Sequence, residues 1–325
     1  MPSTVVVHAP SRLHFGLLAL ASQTGRQFGG VGAMVDQPGL RLRISAESTW
    51  RTAGPLAPRL EAAAERWCRF HDRERPCCSV VVEKAPPQHV GLGVGTQLAL
   101  SVAAGLSSFC GLPAGAPPEL AISVGRGLRS AVGTYGFAMG GLIVERGKLP
   151  GELISPLDTR LDLPPVWRFV LVRPLDARGL SGEMEKSALD ETPVPVNISE
   201  ELIAEVREQL VPAAATADFG AFAASLHRYC RQAGAFYVRQ QGGIYNGPVL
   251  TALVDRIQSW GHVGVGQSSW GPTLFVAQPD AQSARSLAER LWQEWDGPKL
   301  DAIVAEPNNS GAKVEIAEPN SAAIR

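Results

Sequence analysis

Apolar and polar positions alternate, or β-branched residues cluster, over Thr4 to His8, Leu13 to Leu20, Leu40 to Ala46 and Ser79 to Glu83, and each run predicts a strand. Leu56 to His71, rich in Ala, Glu, Arg and Leu, predicts a helix. Thr96 to Phe109 is largely apolar and predicts a buried helix, stopped by Gly111 and Pro113. Gly105 inside it implies that something packs closely against its backbone. A third helix is predicted from Pro118 to Leu128, with proline tolerated in the first turn, and a strand from Leu142 to Glu145.

The pattern then changes. Proline and turn residues crowd Gly147 to Pro165 and predict a boundary between residues 1–160 and 161–308. Beyond it come a strand at Trp167 to Val172, helices at Ser199 to Leu210, Phe219 to Tyr237 and Val249 to Ser259, and a strand at Thr273 to Ala277. Asn197 with Glu200 reads as a cap for the first of these helices. An amphipathic helix at Ala281 to Trp295 and a strand at Asp301 to Ala305 follow. The polar segment Arg178 to Pro195 reads as a flap over a site, and residues 309–325 as a frayed tail.

Composition narrows the function. At 325 residues, 45% hydrophobic and 19% charged, the chain predicts two globular domains with a large core. Thirty basic against 31 acidic residues leave a net charge of -1, which argues against a nucleic-acid partner or an acidic membrane surface. Five cysteines without metal-ligand spacing read as packing residues in a reducing compartment. No leader pattern opens the chain and no apolar run approaches the roughly 18 residues of a membrane span, so a cytoplasmic location is expected.

Four segments carry candidate chemistry. Gly91-Leu92-Gly93-Val94-Gly95-Thr96-Gln97 places three alternating glycines at the start of an apolar helix. Bare glycines let an anion approach the backbone, and the helix start adds free N–H groups and a positive dipole end, so this loop predicts a phosphate site. Ser11-Arg12-Leu13-His14 supplies a planar guanidinium for an anion and an imidazole that works near neutral pH, although a strand histidine is more often structural. Gly125-Arg126-Gly127-Leu128-Arg129-Ser130 offers two further arginines, or only a glycine-rich turn with solvated charges. Gly266-Gln267-Ser268-Ser269-Trp270-Gly271-Pro272 sets hydroxyl and backbone donors beside one stacking surface, or is simply a connector.

Taken in order, these segments resemble the GHMP superfamily of galactokinase, homoserine, mevalonate and phosphomevalonate kinases, and most closely its β-ribofuranosylaminobenzene 5′-phosphate synthase (β-RFAP synthase) family. The resemblance implies an α+β, two-domain GHMP-kinase-like fold, with a ribosomal-protein-like N-terminal αβ domain and a ferredoxin-like C-terminal domain. It implies a decarboxylating transfer of phosphoribose from 5-phosphoribosyl 1-pyrophosphate to 4-aminobenzoate or a related benzoate, on the route to methanopterin-type cofactors. Mg2+, a small phosphorylated substrate, an aromatic acid and a homodimer come with it. In that setting Gly91, Gly93, Gly95, Thr96, Gln97 and Arg126 would hold phosphate. Arg12, His14 and Arg129 would act at the reacting centre, while Ser11, Ser130, Ser268, Ser269, Trp270 and Gly271 would line the substrates.

The departures from the kinases are informative. Gly133 stands where a mevalonate-kinase-like segment would carry a catalytic aspartate, and Arg12 where such a kinase has lysine. Leu17-Leu18-Ala19-Leu20 follows Gly16 where the synthase pattern would carry an aspartate. An ATP-dependent small-molecule kinase and a non-catalytic ligand-binding relative remain as alternatives. The transferase suits a site poor in bases, because loss of carbon dioxide restores the ring's aromaticity without a proton being taken from carbon.

Overall fold

The computed structural model describes residues 2–19, 25–177, 179 and 196–317. Its architecture is α+β, with two sheets and helices packed against them. The first sheet runs in the order β11 (Lys313–Ala317), β1 (Thr4–Leu17), β2 (Gly30–Ala46), β4 (Cys78–Lys84) and β3 (Arg51–Ala53). Strand β2 is long enough to serve two neighbours on one side. Its Arg41 to Ala46 end pairs with β4, and its Gly30 to Ala33 end pairs with β5 (Leu142–Glu145), which in turn pairs with β6 (Leu157–Leu161). The second sheet is antiparallel throughout: β10 (Leu300–Ala305), β7 (Arg168–Pro174), β9 (Leu274–Gln278) and β8 (Val265–Gln267).

Helices α1 (Ala57–Phe70) and α2 (Val94–Phe109) form one core with the first sheet, through Leu60, Trp67, Leu100 and Leu106 against Val5, Leu42 and Ile44. A larger cluster joins β1 to the second sheet through Leu13 and Phe15 against Phe169, Phe222 and Phe275. The rings of Phe15 and Phe275 lie 4.9 Å apart. Gly105 is packed as its position in the apolar helix predicted. A methyl group there would come within 2.7 Å of Ile44 Cδ1 and 3.2 Å of Val7 Cγ2.

Several elements differ from the sequence expectation. β1 is one continuous strand with register shifts at Ala9/Ser11 and His14/Gly16, so its two predicted strands are halves of one bulged strand. The helix predicted to reach Leu128 stops at Ser123 (α3, Pro117–Ser123), where Gly125 and Gly127 take positive φ. Val132–Met139, for which no helix was predicted, is a short helix, α4. The helix expected from Ser199 begins at Val196 (α5, Val196–Ala204) and continues in π register over Glu205–Leu210. Residues 309–325 are not simply a frayed tail. Lys313 to Ala317 pair antiparallel with Thr4 to His8, because β1 otherwise leaves an unpaired edge. Cys77 is exposed rather than packed, while Cys68, Cys78 and Cys230 are buried. Of the expected flap only Gly179 lies among the described residues; its N–H donates to the His89 carbonyl at 2.8 Å. No helix among the described residues is long and apolar enough to cross a membrane.

Overpacking a filled core typically costs about 1–3 kcal/mol. Gly105→Val is expected to lower unfolding stability by about that amount, read from the urea midpoint with an unchanged m-value.

Candidate active site

The site is assembled where the glycine loop, the bulged stretch of β1 and the loop between β8 and β9 meet. Ser268 binds all three. Its buried hydroxyl donates to the Gly91 carbonyl at 2.7 Å and accepts the His14 N–H at 3.0 Å. Backbone bonds from Arg12 N–H to Leu92 O (3.1 Å) and from Ser269 N–H to His14 O (3.0 Å) close the junction. Gly91 must be glycine here: its φ is +87°, and a Cβ would fall 2.4 Å from the Ser268 carbonyl oxygen.

On one side of this junction lies a chamber of about 500 Å3, floored by the glycine loop. Helix α2 starts at Val94, two residues earlier than predicted, with Gly93 as a left-handed N-cap (φ 71°), and the N–H groups of its first turn are the ones an anion would use. Four arginines line the walls: Arg12, Arg59, Arg66 and Arg126. Arg59 and Arg66 are seven residues apart on α1 and so share a face. Arg59 Nη2 is 3.1 Å from His89 Nε2. Guanidiniums and the free N–H groups of a helix start are groups that can bind an anion.

On the other side is a smaller chamber, about 100 Å3, bounded by His14, Arg129, Ser130, Tyr237 and Tyr245. Arg12, Ser269 and Trp270 line both chambers and stand between them. The Trp270 ring sits 4.5 Å from that of Tyr237, which makes the smaller chamber aromatic on one side and cationic on the other. His14 has a pKa well below its ordinary value, first because it is buried and second because Arg12 is beside it, so it is a neutral imidazole at physiological pH. Its Nε2 is 3.1 Å from Ser130 Oγ.

Most of the residues singled out from the sequence converge here. Gly91, Gly93, Gly95, Thr96, Arg126 and Gly271 line the larger chamber, and Arg129 and Ser130 the smaller. Three do not line either. Ser11 points to the opposite face of β1 from Arg12 and His14, and its hydroxyl donates to the Pro38 carbonyl. Gln97 is buried and donates to the Gly133 carbonyl at 3.1 Å, tying α2 to α4. Ser268 is consumed by the clasp. Sequence reasoning missed Arg59 and Arg66, on α1, and Tyr237 and Tyr245, in the connections on either side of the short helix Val238–Gln241, because none of the four lies in a motif. Gly133 packs into the cluster itself: a Cβ there would be 3.2 Å from Thr96 Cγ2 and 3.6 Å from Arg12 Cδ. The point where a kinase aspartate would stand is therefore beside the glycine loop and carries no carboxylate.

The residues present do not fit a protein-held Mg2+. No group of three or more His, Cys, Asp or Glu able to hold a metal occurs among the described residues, and the larger chamber is lined by arginines without a carboxylate. A Mg2+ ion here would be held by the ligand's own phosphate oxygens.

No family model matches the chain. Among curated proteins, β-ribofuranosylphenol 5′-phosphate synthase of Methanothermobacter thermautotrophicus is 30% identical over 295 residues, spanning 83% of this chain and 88% of that relative. The protein of the same name from Archaeoglobus fulgidus is 29% identical over 95% of this chain and 99% of its own. The chain belongs to the β-ribofuranosylphenol 5′-phosphate synthase family. Solved structures agree on the fold. Phosphomevalonate kinase of Streptococcus pneumoniae superposes with a TM-score of 0.68 at 14% identity, covering 94% of this chain and 100% of that one. Homoserine kinase of Cytophaga hutchinsonii gives 0.66 at 16%, covering 97% and 98%. This β-ribofuranosylphenol 5′-phosphate synthase family member thus has a GHMP-kinase-like fold.

The two chambers predict separable losses in this synthase family member. Hydrogen bonds to charged groups are worth about 1.5–3 kcal/mol, roughly ten- to a hundredfold in Kd. By calorimetry, Arg126→Ala is expected to weaken pyrophosphate binding by that factor and leave benzoate binding within about twofold, and Arg129→Ala to do the reverse.

Proposed function

We propose that the protein joins 5-phosphoribosyl 1-pyrophosphate to a 4-substituted benzoate with loss of carbon dioxide and pyrophosphate, forming a C-riboside 5′-phosphate for a methanopterin-type cofactor. The observation that carries this reading is the pair of chambers meeting at Arg12, Ser269 and Trp270. An arginine-lined chamber large enough for a phosphorylated sugar adjoins an aromatic one, which suits a phosphoribosyl donor beside a planar acid. The relatives' name specifies a ribofuranosylphenol, which selects 4-hydroxybenzoate from the benzoates that the sequence resemblance admits.

In this reading pyrophosphate sits on the Gly91 to Thr96 loop, where Arg126 and the start of α2 stabilise the charge it gains on leaving. The ring carbon bearing the carboxylate attacks the ribosyl carbon as the bond to pyrophosphate breaks. As the ring supplies that electron pair, the phenol O–H becomes acidic, and neutral His14 takes its proton. The carbon–carboxylate bond then breaks, its electron pair re-forms the aromatic ring, carbon dioxide leaves, and His14 returns the proton to oxygen. No net proton is consumed. Arg12, which lines both chambers, lies where it can hold the carboxylate beside the sugar until that step. The kinase alternative has no observation of its own in its favour, since the aspartate position is Gly133.

Carbon dioxide release from carboxyl-labelled 4-hydroxybenzoate is expected to depend on 5-phosphoribosyl 1-pyrophosphate and to be indifferent to ATP, with 4-aminobenzoate the poorer acceptor. Phosphorylation of an alcohol by ATP without label release would overturn the reading.

A further inference from the structure

Arg59 lines the larger chamber but has had no task in the reaction described so far. It is the third residue of α1, behind Leu56 as N-cap, and the first turn of that helix holds no acidic side chain. A cation there stands against the helix dipole, which is unfavourable unless a negative charge comes close. Its hydrogen-bond partner supplies none. Arginine can only donate, so His89 Nε2 accepts from Arg59 Nη2 at 3.1 Å. No acidic side chain pairs with Arg59 among the described residues, and the chamber has no carboxylate in its walls. The guanidinium is held in place with its charge uncancelled.

Gly95 shows where that charge is aimed. It is the second residue of α2, and a Cβ there would lie 3.3 Å from Arg59 Nη1 and 3.8 Å from Arg126 Nη2. One guanidinium comes from α1 and the other from the turn after α3, and both reach one point over the first turn of α2. Positive groups from three elements converge there, an arrangement that an anion completes. Two positions earlier in the loop, a Cβ on Gly93 would lie 3.0 Å from Arg12 Nε. Arg12 also lines the smaller chamber, whereas Arg59 and Arg126 line only the larger. The loop is thereby ordered, with Arg12 at Gly93 toward the acceptor and Arg59 with Arg126 at Gly95 away from it.

With the donor placed as above, its reacting carbon lies beside Arg12 and its pyrophosphate runs along the loop. The phosphate bonded to that carbon comes to Gly93, and the terminal phosphate to Gly95. We propose that Arg59 is a specificity-determining residue that grips the terminal phosphate together with Arg126, so that the protein selects a sugar 1-pyrophosphate over a sugar 1-phosphate. The proposal rests on the phosphoribosyl donor of the proposed reaction and adds to it the direction in which the pyrophosphate lies. The terminal phosphate shares the negative charge that the leaving group gains as its bond to carbon breaks. The contact therefore tightens toward the transition state, and its loss lowers the rate as well as the affinity.

The test is calorimetry of the full-length chain with two probes, inorganic pyrophosphate and ribose 1,5-bisphosphate, the second of which lacks the terminal phosphate. Arg59→Ala is expected to raise the Kd for pyrophosphate roughly ten- to a hundredfold and to leave that for ribose 1,5-bisphosphate within about twofold. In the label-release assay the same variant should lower kcat/KM for the phosphoribosyl donor by a similar factor, with the KM for the benzoate within about twofold. Arg59→Lys keeps the charge without the planar fork; an intermediate loss is expected, and it serves as the second variant should the alanine form fail to fold. Arg69→Ala removes an exposed arginine of the same helix, paired with Glu65, and is expected to match wild type with both probes. An equal loss for the two probes would place Arg59 on a phosphate that both can offer, and would overturn the proposal. So would a wild-type pyrophosphate Kd in Arg59→Ala. Selective loss of pyrophosphate in a protein that releases no carbon dioxide would leave the phosphate grip standing and remove the reaction assigned to it.

Discussion

The Ser268 hydroxyl is the interaction on which the site depends. It spends its donor on the Gly91 carbonyl and a lone pair on the His14 N–H, so three segments separated by up to 254 positions in sequence meet at one buried oxygen. That contact needs Gly91 without a side chain and in a left-handed conformation. It also aims the bulged stretch of β1, because the register shifts at Ala9/Ser11 and His14/Gly16 bracket Arg12 and His14 and turn both toward the chambers. Without the clasp, the phosphate loop and the aromatic chamber would be two unrelated clefts.

Charge is distributed to suit a reaction in which a diphosphate leaves and no proton is lost from carbon. Four guanidiniums surround the glycine loop, and the position of the kinase aspartate is a glycine wedged against Thr96 and Arg12. In the smaller chamber His14 is buried, and burial with Arg12 beside it holds its pKa well below the ordinary value.

The fold and the phosphate loop were legible because they depend on local rules. Alternating apolar positions located β4, the Leu40 to Ala46 end of β2 and the strands β7, β9 and β10 within a few residues, but not the Gly30 to Gly39 part of β2 or the short β8, and Gly-x-Gly-x-Gly-Thr marked the start of the apolar helix α2. Errors arose where a long-range partner overrode the local pattern. Lys313 to Ala317, polar and proline-flanked, became a strand only because β1 presented an open edge. Ser11 and Ser268 looked like substrate contacts in their motifs, yet one faces away from Arg12 across the pleat and the other is the clasp.

What the sequence determined by itself was chemistry that resides in short segments: an anion loop, arginines in glycine-rich turns, a base-poor motif set and membership of a family. What only the tertiary structure decided was which of these face each other. Arg59 and Arg66 sit on a helix whose surface residues carry no motif, and they enter the site because α1 packs against α2. Glu145 is an ordinary strand residue in sequence, and is buried with its carboxylate accepting the Ala131 N–H only because β5 pairs with the glycine end of β2. Side-chain convergence of this kind has no local signature, because it is set by the packing of elements that are distant in the chain.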